Sequence, residues 1–342
     1  TGAEVLARNA DSPFRPASTV KVITTLAALE YLGPSYVHTT TIQADTAGGS
    51  LWLVGTGSPL LSAEDVTRAA METAAALPPG RNWRLYHDGT GFYSEPHPAG
   101  WDEADWDKSY CPPVEPLCIG DNVLQIVVSG VGGSVRVFCY PRLPGLLLNH
   151  EGVRIGTGGR VTAAVSGWDS NLPRMTLSGT VAREGVVTLY KPFAGAPGEL
   201  SAYLEEEFRK WGVNADFSGE GTPGTGAFVT STMYSQPLWA LIGSMNKLSR
   251  NILSELLLRT VSLETAGPPA STRAGCDISG ALLDRILPGV SGWRLADGSG
   301  LSRLNLLTPR QLTAAFAFGA GSPVYGPEFL AFGDGYVEIE DS

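Results

Sequence analysis

Pro16-Ala17-Ser18-Thr19-Val20-Lys21 decides the reading of this chain. Apolar residues recur at Val20, Ile23, Ala27 and Tyr31, the stripe of an amphipathic helix, and Gly33-Pro34 ends that helix as a stop should. The spacing predicts a helix over residues 22–32, with Ser18 and Lys21 in its first turn. Residues i and i+3 share a helix face, so Lys21 can reach the Ser18 hydroxyl. A serine is a weak nucleophile until a base stands beside it. A lysine is such a base only when burial or nearby cations lower its pKa. The N-terminus of the helix would supply N–H groups to an oxyanion. Taken alone, Ser-x-x-Lys also describes a capping serine and a solvated lysine. A second copy, Ser244-Met245-Asn246-Lys247, shows how cheap the pattern is; it falls at a helix end, where no N-terminal field helps.

Outward from this segment the chain changes texture twice. Residues 1–10 alternate enough to predict a strand, closed by the turn Asp11-Ser12-Pro13. Residues 39–232 carry short apolar runs between Gly, Pro, Asn and Asp clusters, at 50–55, 83–86, 123–128, 135–140, 174–177 and 186–190, and read as strands. Helices are predicted at 63–76, where Ser62 can cap, and at 200–211. Helical patterning returns at 237–245, 252–261 and 278–286. After the tight turn Gly298-Ser299-Gly300, Thr308-Pro309-Arg310-Gln311 has the form of a helix start with a capping box. The tail from Phe332 is glycine-rich and then acidic, and reads as a frayed end. The simplest layout is one core built from both ends of the chain, with a β-rich middle inserted.

Composition narrows the function. The net charge of −10 and the lack of a Lys/Arg-rich run argue against a nucleic-acid or anionic-membrane partner. No apolar run reaches the roughly 18 residues a membrane span needs. With no Met and no basic leader at Thr1, the chain reads as a mature or trimmed product. Cys111, Cys118, Cys139 and Cys276 have no Cys-x-x-Cys spacing, so a zinc or redox pair is not indicated; they read either as disulfide partners, Cys111 with Cys118 closing the shortest loop, or as buried small hydrophobes. His38, His87, His97 and His150 are not spaced as a metal pair, and no cofactor is expected. Gly55-Thr56-Gly57 and Gly156-Thr157-Gly158-Gly159 lack the Gly-Lys-Ser/Thr of a phosphate loop. Trp101-Asp102-Glu103-Ala104-Asp105-Trp106-Asp107 reads as a solvated loop, or as a contact for a cationic group.

Ser249-Arg250-Asn251 pairs a hydroxyl with an amide. On a helix, i and i+2 point apart, so the two can converge only from a loop, with Asn251 near the cap of the next helix. The same residues also describe a plain cap.

Together with their flanks, these segments resemble the D-alanyl-D-alanine carboxypeptidase/endopeptidase family, the low-molecular-mass penicillin-binding proteins with a large insertion after the active-serine segment. Pro16-Ala17-Ser18-Thr19-Val20-Lys21 through Leu32-Gly33-Pro34 is similar to that segment. Leu51-Trp52-Leu53-Val54-Gly55-Thr56-Gly57-Ser58-Pro59-Leu60 is similar to a strand-turn early in the insertion. Met245-Asn246-Lys247-Leu248-Ser249-Arg250-Asn251 with Ser254-Glu255 is similar to the Ser-x-Asn region. Asp297-Gly298-Ser299-Gly300-Leu301-Ser302-Arg303, then Asn305 and Thr308-Pro309, is similar to the next landmark.

The resemblance implies an α+β fold: a penicillin-binding/β-lactamase-like core of antiparallel sheet flanked by helices, formed by residues 1–38 and 232–342. Residues 39–231 would be a β-rich inserted region of one or two smaller domains. It implies that Ser18 attacks peptidoglycan stem peptides, that Lys21 takes its proton, that Ser249 relays a proton to the leaving D-alanine, and that Asn251 and Lys247 bind substrate. The Ser18 N–H would be half of the oxyanion hole, and β-lactam antibiotics would acylate the same serine. The expected location is periplasmic or extracytoplasmic. Two features depart from the family: Arg250 stands where Asp is common, and no Lys-Thr-Gly occurs in the 342 residues. The second favours, as an alternative, a catalytically impaired or non-catalytic penicillin- or peptidoglycan-binding protein. A β-lactamase or esterase on the same scaffold fits less well, because of the long insertion.

Overall fold

The structure, a computed structural model, describes residues 6–166 and 174–322. Its helices are α1 (Lys21–Leu32), α2 (Ala63–Ala76), α3 (Ala196–Lys210), α4 (Leu238–Lys247), α5 (Asn251–Ala266), α6 (Thr272–Ile286) and α7 (Pro309–Gly321). Its strands are β1 (Thr39–Asp45), β2 (Ser50–Gly55), β3 (Ser58–Leu61), β4 (Asn82–Asp88), β5 (Leu117–Ile119), β6 (Val123–Val131), β7 (Ser134–Tyr140), β8 (Leu147–Gly156), β9 (Arg160–Ser166), β10 (Arg174–Ala182), β11 (Val186–Pro192), β12 (Asn214–Glu220) and β13 (Phe228–Tyr234). The chain divides into two compact units: Thr1–Val37, Phe92–Glu103 and Gln236–Ser342 in the first, His38–Gly91 and Ala104–Ser235 in the second.

In the first unit α1 and α5 pack on each other, with α4, α6 and α7 around them. Every residue of α1 from Lys21 to Leu29 is buried, as is every residue of α5 from Ile252 to Ser262. Helices buried all round are central helices, so the single stripe expected for α1 is an underestimate. Among the described residues this unit has no strand, only the bridges Phe14↔Leu307, Arg294↔Leu306 and Phe92↔Ala270. The segment Phe92–Glu103 belongs to this unit although it lies within the span 39–231. Arg259, fully buried on α5, fastens it by donating to the Glu95 carbonyl, and also donates to Thr272 Oγ1 at 3.1 Å.

In the second unit a five-stranded sheet runs β12-β4-β2-β1-β13, and α2 and α3 pack on it and on each other. Strand β1 alternates inward Thr40, Ile42 and Ala44 with half-buried neighbours. Two three-stranded sheets, β8-β10-β9 and β11-β6-β7, touch through β6 and β10, β7 and β8, and β9 and β11; β3 pairs with β5. Ser62 caps α2 in a reciprocal box with Asp65, and Thr308 does the same for α7 with Gln311.

Several expectations need correction. The strand predicted over residues 1–10 lies in part outside the described residues. From Leu6 to Ser12 the chain turns instead, with Asn9 at φ 52° and the Ser12 N–H donating to the Asn9 carbonyl. Leu6 is exposed, so the alternating pattern there has nothing to bury against. Helix α3 starts at Ala196 rather than 200: Gly195 and Pro197 look like loop residues, but the Glu115 carboxylate accepts the N–H groups of Gly195 and Ala196, at 3.2 and 3.1 Å, and closes the helix end from elsewhere in the chain. All four cysteines are free thiols. The tail from Phe332 lies outside the described residues.

Candidate active site

Ser18 sits in a single 3₁₀ turn, Ala17–Val20, that leads directly into α1. Ala17 before it is held at φ 46°, a left-handed conformation that non-glycine residues adopt at a cost. Ser18 is exposed; Lys21, one turn on, is 2% exposed. The Lys21 Nζ lies 3.2 Å from Ser18 Oγ, 2.7 Å from Asn251 Oδ1 and 2.7 Å from the Ser299 carbonyl oxygen. The Ser249 hydroxyl donates to Ser18 Oγ at 3.0 Å.

Ser249 and Asn251 reach one point because the chain turns sharply between α4 and α5. Ser249 is at φ 51°, outside the helical region, and Asn251 is the first residue of α5. This is the loop convergence the spacing required. Arg250 turns the other way and donates to Ser244 Oγ at 3.0 Å. That contact occupies the serine of the second Ser-x-x-Lys. Lys247, in the last turn of α4, is exposed and makes none of the hydrogen bonds of this cluster.

A second layer fixes the Ser299 carbonyl. Asp297, 1% exposed, accepts from Gly300 N (2.9 Å), Asn305 Nδ2 (2.6 Å), Trp101 Nε1 (2.8 Å), Ser299 Oγ (3.0 Å) and Ser302 N (2.7 Å). Five donors around one carboxylate define the loop 297–305. Glu255, fully buried on α5, accepts from the N–H groups of Gly298 and Ser299 at 2.9 and 2.8 Å. Thr24 Oγ1 donates to the Gly298 carbonyl at 2.7 Å, and Ser254 Oγ donates to the same oxygen. Gly300, at φ +87°, passes so close to the nucleophile that an added Cβ would lie 1.9 Å from the Ala17 carbonyl oxygen and 2.9 Å from Ser18 N.

Burial pulls Lys21 down to about 8, while Glu255 and Asp297 act in the opposite direction. Burial likewise pushes Glu255 up to about 8, with Asp297 adding to it and Arg259 opposing. The charge arithmetic of the amine follows from its partners. Three acceptors around Nζ suit an ammonium, which has three donors. A neutral amine has two N–H groups, enough to keep Asn251 Oδ1 and the Ser299 carbonyl, and its lone pair then falls to Ser18. The arrangement can therefore take a proton from the serine hydroxyl.

Ser18, Lys21, Ser249 and Asn251 are thus brought together, while Lys247 is not. Glu255, Asp297 and Trp101 belong to the same network without having been singled out as site residues. Glu255 carried a signal of its own, a lone carboxylate inside the apolar run Ile252–Leu258, while Asp297 stood only within a landmark of the resemblance and Trp101 only within the acidic-aromatic stretch. Trp101 is buried against Asp297, so the first residue of the acidic-aromatic stretch is not part of a solvated loop. Farther along, Asp105 receives the Tyr110 hydroxyl at 2.8 Å and Asp107 meets Lys191 at 3.1 Å.

Residues 1–326 match the family model described as D-Ala-D-Ala carboxypeptidase 3 (S13). The D-alanyl-D-alanine carboxypeptidase of Actinomadura sp. (strain R39) is 28% identical over 332 residues, taking in 90% of this chain and 60% of that protein. The chain thus spans less than two thirds of that relative's length. Penicillin binding protein 4 (dacB) from Haemophilus influenzae has the same fold, with a TM-score of 0.78 at 23% identity over 92% of this chain and 72% of that one. Its complex with a novel beta-lactam gives 0.72 at 22% identity, over 92% and 71%. The mixed α+β, penicillin-binding-type fold expected from the sequence is the one found, but the antiparallel sheet expected in the core formed by both ends of the chain is not seen there among the described residues, where that unit is helical with isolated bridges.

Proposed function

This chain belongs to the D-Ala-D-Ala carboxypeptidase 3 (S13) family, and on that premise we propose that it is a serine D,D-peptidase that acts outside the cytoplasm on the stem peptides of peptidoglycan. The observation that carries the reading is the buried Lys21 amine, lowered to about 8 and 3.2 Å from an exposed serine hydroxyl. A pKa near the working pH is what a general base needs. Ser18 Oγ attacks the carbonyl carbon between two terminal D-alanines, and its proton goes to Lys21 Nζ. The tetrahedral intermediate collapses, the C–N bond breaks, and the Ser249 hydroxyl passes a proton to the departing amine and takes in its place the one held on Lys21, which returns the amine to its neutral form. Water then cleaves the acyl ester and restores Ser18. Asn251 fixes Lys21 through Oδ1 and is assigned to hold the peptide. The Ser18 N–H is assigned to the oxyanion. In this reading the first unit is the peptidase body and the second is an insertion carried with it. The sequence also assigned Lys247 to the substrate; the exposed position gives that role no support.

The test is intact mass after incubation with a β-lactam, for the wild-type chain and for Ser18→Ala. A stoichiometric adduct on the wild type, absent from the variant, is expected. A folded wild-type chain that takes no adduct refutes the reading. Release of D-alanine from a D-alanyl-D-alanine peptide then separates turnover from binding alone.

A further inference from the structure

We propose that Glu255 is a positioning residue for Lys21: it fixes the N–H groups of Gly298 and Ser299, so aiming the Ser299 carbonyl at the Lys21 amine, and places a buried carboxyl within electrostatic reach of that amine. The inference rests on the reading of Lys21 as the base. Its geometry is a relay of three short contacts. Glu255 Oε1 accepts from Gly298 N at 2.9 Å and Ser299 N at 2.8 Å, and the Ser299 carbonyl accepts from Lys21 Nζ at 2.7 Å. Among the described residues Glu255 Oε2 is buried with no hydrogen-bond partner. A buried carboxylate oxygen left unpaired is expensive. A glutamate kept fully buried at that cost is better explained by its effect on the loop and the amine than by packing, since leucine would pack as well.

The titratable and charged groups that face Glu255 come from four elements. Lys21 on α1 is the cation it raises, and Arg259 lies one turn along α5 itself. Cys276 on α6 and Asp297 on the loop complete the set. Asp297 is already held by five donors. Glu255 is the acidic group whose charge the site can vary, and its titration and that of Lys21 are coupled.

Two readouts separate this role from a structural one. The first is the Lys21 13Cε chemical shift as a function of pH, in the full chain, assigned with Lys21→Met; it needs no substrate. Glu255→Gln keeps an oxygen for the two N–H groups and an amide where Oε2 stands, but removes the charge. The Lys21 midpoint, near 8 in the wild type, is expected to fall by about one unit, as losing a nearby opposite charge dictates. At pH 8, where Glu255 is charged in about half of the molecules, that raises the neutral amine from about one half to about nine tenths, so β-lactam acylation at pH 8 rises up to about twofold. The second readout is Glu255→Asp, which keeps the charge on a shorter arm. Its Lys21 midpoint is expected to stay put while acylation at pH 9 drops at least about tenfold, from a misplaced Ser299 carbonyl. An unmoved Lys21 midpoint in folded Glu255→Gln, or wild-type acylation in Glu255→Asp, overturns the proposal. A wild-type chain that titrates as expected at Lys21 but is never acylated sinks the peptidase reading instead.

Discussion

Gly300→Ala is the sharpest perturbation this site offers. The new Cβ would sit 1.9 Å from the Ala17 carbonyl oxygen and 2.3 Å from its carbon, against 3.4 Å for ordinary contact, so the two segments must part by about 1.5 Å. Neither neighbour is the end of a flexible side chain; both belong to the backbone that carries Ser18. The residue also stands at φ +87°, where a side chain costs about 1–2 kcal/mol. Parting the segments moves the Ser299 carbonyl away from Lys21 or moves Ser18 away from both. A displacement of about 1 Å in a catalytic constellation costs on the order of 100-fold in rate. The assay is the rate of β-lactam acylation followed by intact mass, beside a thermal melt. Gly289→Ala is the matched control, because Gly289 has φ +80° but nothing within 4 Å of an added Cβ. It should show the conformational cost in the melt and leave acylation within about twofold, since no backbone has to move. Gly300→Ala should lose both stability and rate. If Gly300→Ala acylates within about threefold of the wild type, the close approach of this loop to the nucleophile is not what positions it.

The rate of acylation should rise with pH and level off above a midpoint near 8, because only the neutral Lys21 amine accepts the serine proton; a flat profile between pH 6 and 10 excludes Lys21 as the base. The same depressed pKa makes a stability prediction of definite sign. Lys21 is held below its ordinary 10.5, so the unfolded chain binds that proton more tightly and Lys21 contributes stability that grows as pH climbs from about 8 toward 10.5; the difference between urea melts of the wild type and Lys21→Met across that window checks it, because the buried thiols, whose raised pKa values lower stability there, are common to both. Trp101→Phe removes one donor from buried Asp297 and should cost about 1.5–3 kcal/mol in a denaturant melt. Ser62→Ala opens the capping box of α2 and should cost about 1 kcal/mol, with acylation unchanged.

How far these residues could be read without coordinates depends on whether a pattern is local. Ser18 and Lys21 are three apart at a helix start, and helix geometry alone brings them together. The caps at Ser62 and Thr308 are equally local, and both formed where the residues required. Ser249 and Asn251 were legible as a pair but not as a shape. Their convergence needs Ser249 at φ 51°, and nothing about a serine announces a left-handed conformation. The same is true of Ala17 at φ 46°. The segment Phe92–Glu103 has no periodicity at all, and the side chains that fasten it, Arg259 and Asp297, lie far along the chain. Strand β1 was hidden for a milder reason: its inward face is Thr40, Ile42 and Ala44, too polar to stand out as alternation.

What the sequence concealed and what the chemistry needs turn out to be connected. A lysine that acts as base must lose its water, and Lys21 loses it to α5 and to the loop 297–305. Burying an amine this way brings buried carboxylates with it, since carbonyls alone must be held in place by something. Asp297 and Glu255 do that holding, one through five donors and the other through two. Both are therefore buried where charge would otherwise be disfavoured. An acidic residue in the middle of an otherwise apolar helical run, as Glu255 is between Ile252 and Leu258, is a sequence-level sign of a buried polar network. In a chain that also carries Ser-x-x-Lys, such a residue marks the layer that sets the lysine's proton affinity.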